Sequence, residues 1–320
     1  MRILITGVGG FVGRHLFNTL CDQYPDAIIH GTAIDQPPQM SNDRLQYHLI
    51  DLKNYTAIYD LIAQVEPDQI YHLAAQSSPR KSFLIPWETL ENNIKSQLNI
   101  IQACIALKLQ PRMLIISSAE IYGPVRPDQL PINEDAPLRP TNPYGVSKVA
   151  QDMLGLQYYM SHKLPILRTR PFNHFGPGQS EGFVATDFAV QVARIEAGLQ
   201  ESVIEVGNLA VERDFTDVRD VVSAYTQIME KGIPGAVYNV ASGKPYSIQY
   251  LLDVLLKYST VTIQVRVSPA RMLPVDVPVV RGDASRLHQL CGWQPSIPFE
   301  TTLLDVLNDW RGRVRQTMQN

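Results

Sequence analysis

The sequence predicts an α/β fold in which a doubly wound parallel sheet is followed by a smaller, mixed α/β lobe at the C-terminal end. A short apolar run at residues 3–6 passes directly into a glycine-rich turn and then into an amphipathic helix. Apolar runs alternate with helical patterns as far as about residue 172, which is the pattern of successive βαβ units. Beyond Pro177 the alternation becomes irregular, which indicates a second lobe.

The first element after the N-terminal strand is the glycine-rich turn. Gly7 permits the tight turn, Gly10 lets the backbone approach a pyrophosphate, and Gly13 lets the helix pack closely on the strand. The helix N-terminus offers free N–H groups and the positive end of a dipole to the same anion. We therefore expect a dinucleotide-binding turn, the alternative being a plain tight turn. The predicted contacts are Gly7, Gly10, Phe11, Val12 and Gly13.

The second strand, residues 27–35, ends in Asp35. This carboxylate lies 22 positions after Gly13, close to the spacing of about 20 expected for an acid that hydrogen-bonds the adenosine ribose. No arginine directly follows the strand to pair with a 2′-phosphate. These observations favour NADH over NADPH, with NADPH left open. The alternative is that Asp35 simply begins a loop before Pro37.

The following strands and helices continue the alternation. The run at 69–75 ends in small residues, which leave room for a ligand at the carboxyl end of a parallel strand. Six prolines between residues 124 and 143 predict a long loop. The other elements predicted for the sheet are strands at 49–52, 112–118 and 164–170 and helices at 55–65, 88–107 and 144–162. In the C-terminal lobe we expect helices at 183–198, 217–231, 247–258, 283–290 and 300–315, with strands at 203–206, 236–240 and 261–265.

Composition argues against several classes of function. The chain has 320 residues, 45% of them hydrophobic, a net charge of −3 and no run of like charges, so we expect no nucleic acid or membrane partner. Three widely spaced cysteines without a C-x-x-C pair argue against a disulfide framework or a metal site. Met1-Arg2 leads straight into a strand instead of a signal peptide, and no apolar run approaches the ~18 residues of a membrane span. We expect a soluble, cytoplasmic protein.

A tyrosine and a lysine four residues apart, Tyr144 and Lys148, begin the helix after the proline-rich loop. Side chains at this spacing share one helix face, which places an ammonium beside a phenol. The nearby positive charge is expected to lower the tyrosine pKa and to make the phenol a proton donor and acceptor near neutral pH. Ser118, at the carboxyl end of the preceding strand, can hydrogen-bond a substrate carbonyl at the same edge. Alone this spacing is a weak signal, since most such pairs are a solvated lysine beside a core tyrosine.

In combination these motifs resemble the extended short-chain dehydrogenase/reductase family, the NAD-dependent epimerases and dehydratases, over essentially the whole chain. The shared motifs are Thr6-Gly7-x-x-Gly10-x-x-Gly13, Asp51-Leu52, His72-Leu73-Ala74-Ala75, Asn93, Ser118, Tyr144/Lys148 and Pro171-x-Asn173. The resemblance implies a Rossmann fold, NAD(P)H as cofactor, catalysis by Ser118, Tyr144 and Lys148, and a homodimer built on helices 88–107 and 144–162. The further cofactor contacts that it implies are Asp51, Leu52, Leu73, Ala74, Ala75, Asn93, Tyr144, Lys148 and Pro171.

The second lobe resembles the GDP-mannose branch of that family. The resemblance lies in Phe172-Asn173-His174-Phe175-Gly176-Pro177-Gly178-Gln179 and in Arg213-Asp214-Phe215-Thr216-Asp217. It implies that Asn173 and Arg213 hold the pyrophosphate of a GDP-linked sugar and that Asp276 binds a ribose of GDP. The other implied substrate contacts are Ser118, Val184 and Asn208. The alternative for Arg213 is a surface arginine paired with Glu212 or Asp214. One departure is Leu273, which stands where an arginine is expected and for which Arg271 is a possible substitute.

The activity that the resemblance implies is the reduction of a nucleotide sugar. We expect hydride transfer from NAD(P)H to the C4 ketone of GDP-4-keto-6-deoxy-D-mannose, which gives GDP-6-deoxy-D-mannose (GDP-D-rhamnose). Residues 1–172, with a return of about 212–240, are expected to form the dinucleotide-binding domain. Residues 173–320 are expected to form mainly the sugar-nucleotide-binding lobe.

Glu120 keeps a second activity open. In the dehydratases of the family, a glutamate two positions after the catalytic hydroxyl residue acts as a base at sugar C5, and Ser118-Ala119-Glu120 has that spacing. The alternatives are therefore a GDP-mannose 4,6-dehydratase or a related epimerase, with Glu120 as a catalytic residue, or a glutamate that merely faces solvent. A third alternative, a binding protein that senses the cofactor without catalysis, is disfavoured by the intact Ser118, Tyr144 and Lys148.

Overall fold

The computed structural model describes residues 1–34, 44–271 and 277–319. The strands are β1 (Arg2–Thr6), β2 (Ile28–Ala33), β3 (Leu45–Leu49), β4 (Gln69–His72), β5 (Arg112–Ile116), β6 (Ile166–Pro171), β7 (Asn173–Phe175), β8 (Val203–Val206), β9 (Glu212–Asp217), β10 (Val237–Val240), β11 (Pro245–Ser247), β12 (Gln264–Val267) and β13 (Val279–Val280). The α-helices are α1 (Phe11–Gln23), α2 (Tyr55–Val65), α3 (Pro79–Leu84), α4 (Pro86–Ala106), α5 (Pro143–His162), α6 (Val184–Glu196), α7 (Val218–Lys231), α8 (Ile248–Lys257), α9 (Ser285–Cys291) and α10 (Phe299–Gln319).

A seven-stranded sheet in the order β10-β6-β5-β4-β1-β2-β3 forms the centre of the molecule. Every pairing in it is parallel. This order confirms the predicted doubly wound sheet of Rossmann type. The strand order reverses between β1 and β4, and open sheets of this kind bind ligands at the carboxyl ends of the strands beside such a switch point.

Helices cover both faces of the sheet. Ile3 and Ile5 of β1 belong to a buried cluster that includes residues of α1 and α7. Leu4, between them, points to the opposite face and packs in a cluster with residues of α2 and α4. Because both faces are buried, the strands read as nearly continuous apolar runs, which explains why most of them were predictable.

A second hydrophobic core lies among α6, α8 and α10. Aromatic rings connect it to the short strands: Tyr246 of β11 stacks on Phe299 of α10 with ring centroids 4.1 Å apart, and Phe175 of β7 lies 5.3 Å from Phe299. Such aromatic pairs stabilise the folded state beyond the gain from burying their apolar surface. The packing therefore holds β7, β9 and β11 against the C-terminal helix.

Two strand predictions were wrong in position. The strand expected at 49–52 occupies Leu45–Leu49 instead, and the strand expected at 261–265 lies at Gln264–Val267. Both are edge strands with partly or fully exposed side chains, so apolar periodicity does not mark their limits. The sequence also did not reveal α3 or the short strands β7, β9, β11 and β13, whose pairing depends on residues distant in the chain.

Within the described ranges, no helix is both long enough and apolar enough to cross a membrane. The three cysteines are free thiols.

Candidate active site

The turn after β1 has a geometry that requires glycine. Gly7 has a φ of +71°, and the Gly10 N–H donates to the Gly7 carbonyl oxygen at 3.0 Å. A Cβ on Gly13 would lie 2.4 Å from that same oxygen, so α1 packs against the turn too closely for any side chain. Within the described chain no side chain caps α1, which leaves first-turn N–H groups for a ligand. These features fit the pyrophosphate of a dinucleotide.

A cavity of about 470 Å³ opens beside this turn, at the carboxyl ends of β1, β2 and β4. The predicted cofactor contacts that line it are Gly7, Gly10, Leu52, Ala74 and Ala75. The other lining residues are Gly9, Arg14, Thr32, Ala33, Ile34, Ile50, Asn92 and Ser96. The cavity lies at the switch point of the sheet and has the size of a small-molecule site.

Two other residues that were predicted to contact the cofactor, Asp51 and Leu73, are not among the residues that line this cavity. Asp51 is exposed, and its carboxylate accepts a hydrogen bond from the Lys53 N–H at 2.9 Å, which closes the turn before α2. Leu73 packs against the buried cluster of α1 and α7. Asp35 and Asp276 lie outside the described residues, so the roles expected for them stay predictions.

The tyrosine and the lysine of α5 lie together and are buried. Tyr144 is 8% exposed and Lys148 is 4% exposed, and Lys148 Nζ lies 5.8 Å from the centroid of the Tyr144 ring. Lys148 Nζ donates to the Ile116 carbonyl oxygen at 2.8 Å. Ser117 Oγ donates to the Lys148 carbonyl oxygen at 3.1 Å. Lys148 is therefore tied to the carboxyl end of β5, and it is not the solvated lysine of the alternative interpretation.

The pKa values of this pair depart from the sequence-based expectation. Burial raises the pKa of Tyr144 well above its ordinary value; contact with the Ser118 hydroxyl lowers it by less, and the Glu120 carboxylate raises it further. Burial also lowers the pKa of Lys148 to about 7. The expectation that the lysine lowers the tyrosine pKa is therefore wrong, because loss of solvation disfavours the charged form of both groups.

Ser118 and Glu120 occupy the short turn that follows β5. Ser118 Oγ accepts a hydrogen bond from the Glu120 N–H at 3.2 Å. Asn142 links this turn to α5: its Nδ2 donates to Glu120 Oε2 at 2.9 Å, and its Oδ1 accepts from the Gly145 N–H at 2.7 Å. Sequence reasoning missed Asn142, although asparagine followed by a proline at the first helical position is a typical helix start.

Asn93 joins the loop after β4 to α5. It is fully buried at 0% exposure, and its Oδ1 accepts from the Gln76 N–H at 2.8 Å. Its Nδ2 donates to Ser147 Oγ at 2.9 Å, and Ser147 Oγ in turn donates to the Tyr144 carbonyl oxygen at 2.7 Å. These contacts position the helix between Tyr144 and Lys148. Its neighbour Asn92 lines the cavity, and direct contact of Asn93 with a cofactor stays a prediction.

A buried ion-pair cluster fixes the same helix to the sheet. Arg168 Nη1 lies 2.6 Å from Asp152 Oδ1, and Arg170 Nε lies 2.8 Å from Asp152 Oδ2. Asp152 follows Lys148 by four residues, as Lys148 follows Tyr144, so all three share one helix face. The cluster therefore sets the rotation of α5 on β6. The sequence contains no signal that identifies these charges as buried partners.

The predicted substrate contacts lie on the elements that follow the sheet. Asn173 begins β7 with its side chain exposed, and Val184 begins α6. Pro171, which was predicted as a cofactor contact, ends β6. Asn208 Oδ1 accepts from the Ala210 N–H at 3.0 Å.

Arg213 of β9 is held by backbone oxygens. Its Nη1 donates to the carbonyl oxygens of Glu212 and Val277, at 2.8 and 2.6 Å. Asp214, one partner in the alternative interpretation, is instead buried and accepts hydrogen bonds from Ser242, Gly243 and Gly282. The substrate role of Arg213 stays a prediction.

The glycine turn contacts the loop that carries Asn173. The Phe11 ring stacks on the His174 ring with centroids 6.3 Å apart and planes 7° from parallel. His15 Nε2 is hydrogen-bonded to the Pro177 carbonyl oxygen at 2.8 Å. The two motifs expected to hold a dinucleotide and a sugar nucleotide are thus packed against each other at one edge of the sheet.

Comparison with known proteins gives full-length matches. A family model described as GDP-mannose 4,6 dehydratase matches residues 4–306. The chain is 39% identical over 315 residues to GDP-6-deoxy-D-mannose reductase of Pseudomonas aeruginosa, covering 98% of this chain and 99% of the relative. It is 28% identical to GDP-mannose 4,6 dehydratase 2 of Caenorhabditis elegans, covering 92% and 85%. The solved structure of RMD from Pseudomonas aeruginosa complexed with NADPH superimposes with a TM-score of 0.87 at 37% identity, covering 98% and 99%.

Proposed function

Because the chain belongs to the GDP-mannose 4,6-dehydratase family, we propose that it is an NADPH-dependent reductase of GDP-4-keto-6-deoxy-D-mannose. The product is GDP-6-deoxy-D-mannose. The observation that carries the proposal is the buried Tyr144–Lys148 pair beside Ser118, in a sheet whose switch point also opens a cavity of about 470 Å³ beside the glycine turn. The 39% identical reductase supports the sugar nucleotide, and the NADPH complex of a 37% identical protein supports NADPH over the NADH favoured from Asp35.

The side chains of the site supply the proton chemistry. When bound, NADPH supplies the hydride that C4 of the sugar receives. Ser118 Oγ hydrogen-bonds the C4 oxygen and orients the ketone. Tyr144, whose raised pKa keeps its phenol protonated, donates that proton to the oxygen as negative charge develops. Lys148, with a pKa of about 7, carries a positive charge in part of the molecules at neutral pH and stabilises the phenolate left on Tyr144.

Binding is divided between the two parts of the chain. The first-turn N–H groups of α1 hold the dinucleotide pyrophosphate, and residues 1–172 provide most of its site. Residues 173–320 hold the sugar nucleotide, with Asn173 and Arg213 at its pyrophosphate. A guanidinium suits this role because it can donate two parallel hydrogen bonds to phosphate.

A coupled assay tests this function. A separate dehydratase generates GDP-4-keto-6-deoxy-D-mannose, residual GDP-mannose is removed, and this protein is added with NADPH. We expect stoichiometric loss of NADPH absorbance and a single 6-deoxyhexose product. No loss of NADPH with freshly prepared ketone would contradict the proposal.

Glu120 supports a second candidate, a GDP-mannose 4,6-dehydratase. Asn142 Nδ2 donates to Glu120 Oε2 at 2.9 Å and so holds the carboxylate beside the N-terminus of α5. Tyr144 lies in the first turn of the same helix, and a dehydratase needs a base at sugar C5 close to that tyrosine. Such an enzyme recycles its cofactor and consumes none. Conversion of GDP-mannose without added cofactor, together with no NADPH loss in the coupled assay, would support this candidate over the reductase.

We also propose a homodimer formed through α4 and α5. Val146, Met153 and Met160 of α5 follow one another at seven-residue spacing and are 46%, 38% and 63% exposed, and Trp87 of α4 is 73% exposed. Gln97 of α4 donates to a backbone oxygen of α5, so the two helices are hydrogen-bonded to each other. Apolar surface of this kind is typical of an interface. Sedimentation velocity should show that the parent protein is a dimer and that Met153→Glu is a monomer. A parent protein that sediments as a monomer would refute the proposed homodimer.

The free thiols of all three cysteines support a reducing, cytoplasmic location for this enzyme. Fractionation of cells that make it should recover it with the cytoplasm; recovery from an oxidising compartment would contradict this.

A further inference from the structure

Arg14 stands out among the residues that line the 470 Å³ cavity beside the glycine turn. It is the one charged side chain among the lining residues in the described part of the chain. Its Nε donates to the Gly9 carbonyl oxygen at 3.0 Å, so the guanidinium is folded back over the turn. In the described ranges its two Nη atoms have no hydrogen-bond partner and no carboxylate lies within ion-pair distance. A guanidinium so placed is ready to receive an anion.

The cavity that Arg14 lines extends from the glycine turn to the end of β2. The residues of β2 and its end that share the cavity with Arg14 are Thr32, Ala33 and Ile34. Tyr47 belongs to β3, where it pairs with Gly31 of β2, and the charge of Arg14 lowers the Tyr47 pKa against the larger effect of burial. The pyrophosphate site, at the N-terminus of α1, follows β1. Arg14 therefore lies between the glycine turn, where the pyrophosphate is expected, and the end of β2, where this fold holds the adenosine ribose.

We propose that Arg14 binds the 2′-phosphate of NADPH and thereby makes the protein select NADPH over NADH. A guanidinium donates two parallel hydrogen bonds to a phosphate, and NADH carries only a hydroxyl at that position. The inference rests on the proposed function only in taking NADPH as the cofactor. It places the guanidinium of Arg14 at the adenosine ribose of the cofactor, where the sequence suggested only the carboxylate of Asp35.

Two other uses of Arg14 make different predictions. It could bind the pyrophosphate, which NADH and NADPH share, and then its loss would weaken both cofactors equally. It also borders a groove of about 720 Å³ between α1 and α10, and an arginine serving only that groove would affect neither cofactor.

Dissociation constants of Arg14→Gln separate these cases. We would measure NADPH and NADH binding by calorimetry, and add 2′,5′-ADP and 5′-AMP as fragments. Neither fragment contains a pyrophosphate, and they differ at the 2′ position. We expect Arg14→Gln to weaken NADPH and 2′,5′-ADP by a factor on the order of 10 to 100, the usual range for a lost hydrogen bond to a charged group, and to leave NADH and 5′-AMP within about twofold.

Arg315→Gln is the matched control, since Arg315 is also an exposed helical arginine whose Nε donates to a backbone oxygen, at 3.2 Å. We expect it to change none of the four affinities. Equal weakening of NADPH and NADH in Arg14→Gln, or no weakening of either, would overturn the proposal. No sugar nucleotide is needed, so a protein that shows the selective loss yet fails to reduce the ketone would support the role of Arg14 and refute the reductase.

Discussion

Replacing Lys148 by methionine should stabilise the protein in a manner that depends on pH. The lysine is 4% exposed, and burial lowers its pKa from the ordinary 10.5 to about 7. Folding therefore favours the neutral amine, whereas the unfolded chain keeps the ammonium until about pH 10.5. The destabilising contribution of Lys148 is fully present below pH 7 and fades as the pH rises from 7 to 10.5, because the unfolded state binds the extra proton in that window.

The size of the effect follows from the pKa values. A fall from 10.5 to about 7 corresponds to about 5 kcal/mol at ~1.36 kcal/mol per pKa unit. At pH 9 the remaining cost is about 2 kcal/mol by the same conversion. Methionine removes this cost but also the 2.8 Å hydrogen bond to the Ile116 carbonyl oxygen, worth about 1 kcal/mol at every pH. The advantage of Lys148→Met should thus shrink by about 3 kcal/mol between pH 6 and pH 9.

Urea unfolding of the parent protein and Lys148→Met, followed by tryptophan fluorescence without added dinucleotide, measures this difference. Lys95→Met serves as the control, because Lys95 is exposed on α4 and paired with Glu91; its difference from the parent should be nearly the same at both pH values. A Lys148→Met difference that stays constant, or that grows with pH, would refute the assignment of a desolvated amine.

The remaining predictions concern catalysis and the packing of α5. Tyr144→Phe should lower kcat by at least ~100-fold, the range for loss of a general acid, while the Kd for NADPH stays the same; unchanged turnover would remove Tyr144 from the mechanism. Asp152→Ala should cost about 3 to 5 kcal/mol in urea unfolding, because it leaves the buried guanidinium groups of Arg168 and Arg170 without their carboxylate; a loss below ~1 kcal/mol would mean that the cluster contributes as little as a surface pair.

The parts of the fold that local chemistry determines were predictable. The glycine turn follows from steric limits at Gly7 and Gly13 that no other residue meets. The helix expected at 144–162 is found at Pro143–His162, because a proline at its first position and the apolar face define it locally. The proximity of Tyr144 to Lys148 follows from helical spacing alone.

The features that depend on tertiary packing were not predictable. The pKa of Tyr144 is raised because neighbouring elements bury the phenol. The spacing of residues along a helix does not indicate whether other elements will bury them. The position of β3 was misjudged because an exposed edge strand lacks a continuous apolar run. The importance of Asn142 depends on its contact with Glu120, and that of Asp152 on its contacts with Arg168 and Arg170, all of which are distant in sequence. That Arg14 lines a cavity together with the end of β2 also becomes visible only in the folded chain.

Isotope transfer tests the reductase assignment most directly. NADPH that carries deuterium on the transferable position of its nicotinamide is incubated with the protein and GDP-4-keto-6-deoxy-D-mannose, and the sugar product is examined by NMR. Reduction predicts one deuterium at C4 of the product for each NADPH consumed. A product with no deuterium at C4 and no net consumption of NADPH would contradict the reductase and favour an enzyme that returns its hydride to the substrate.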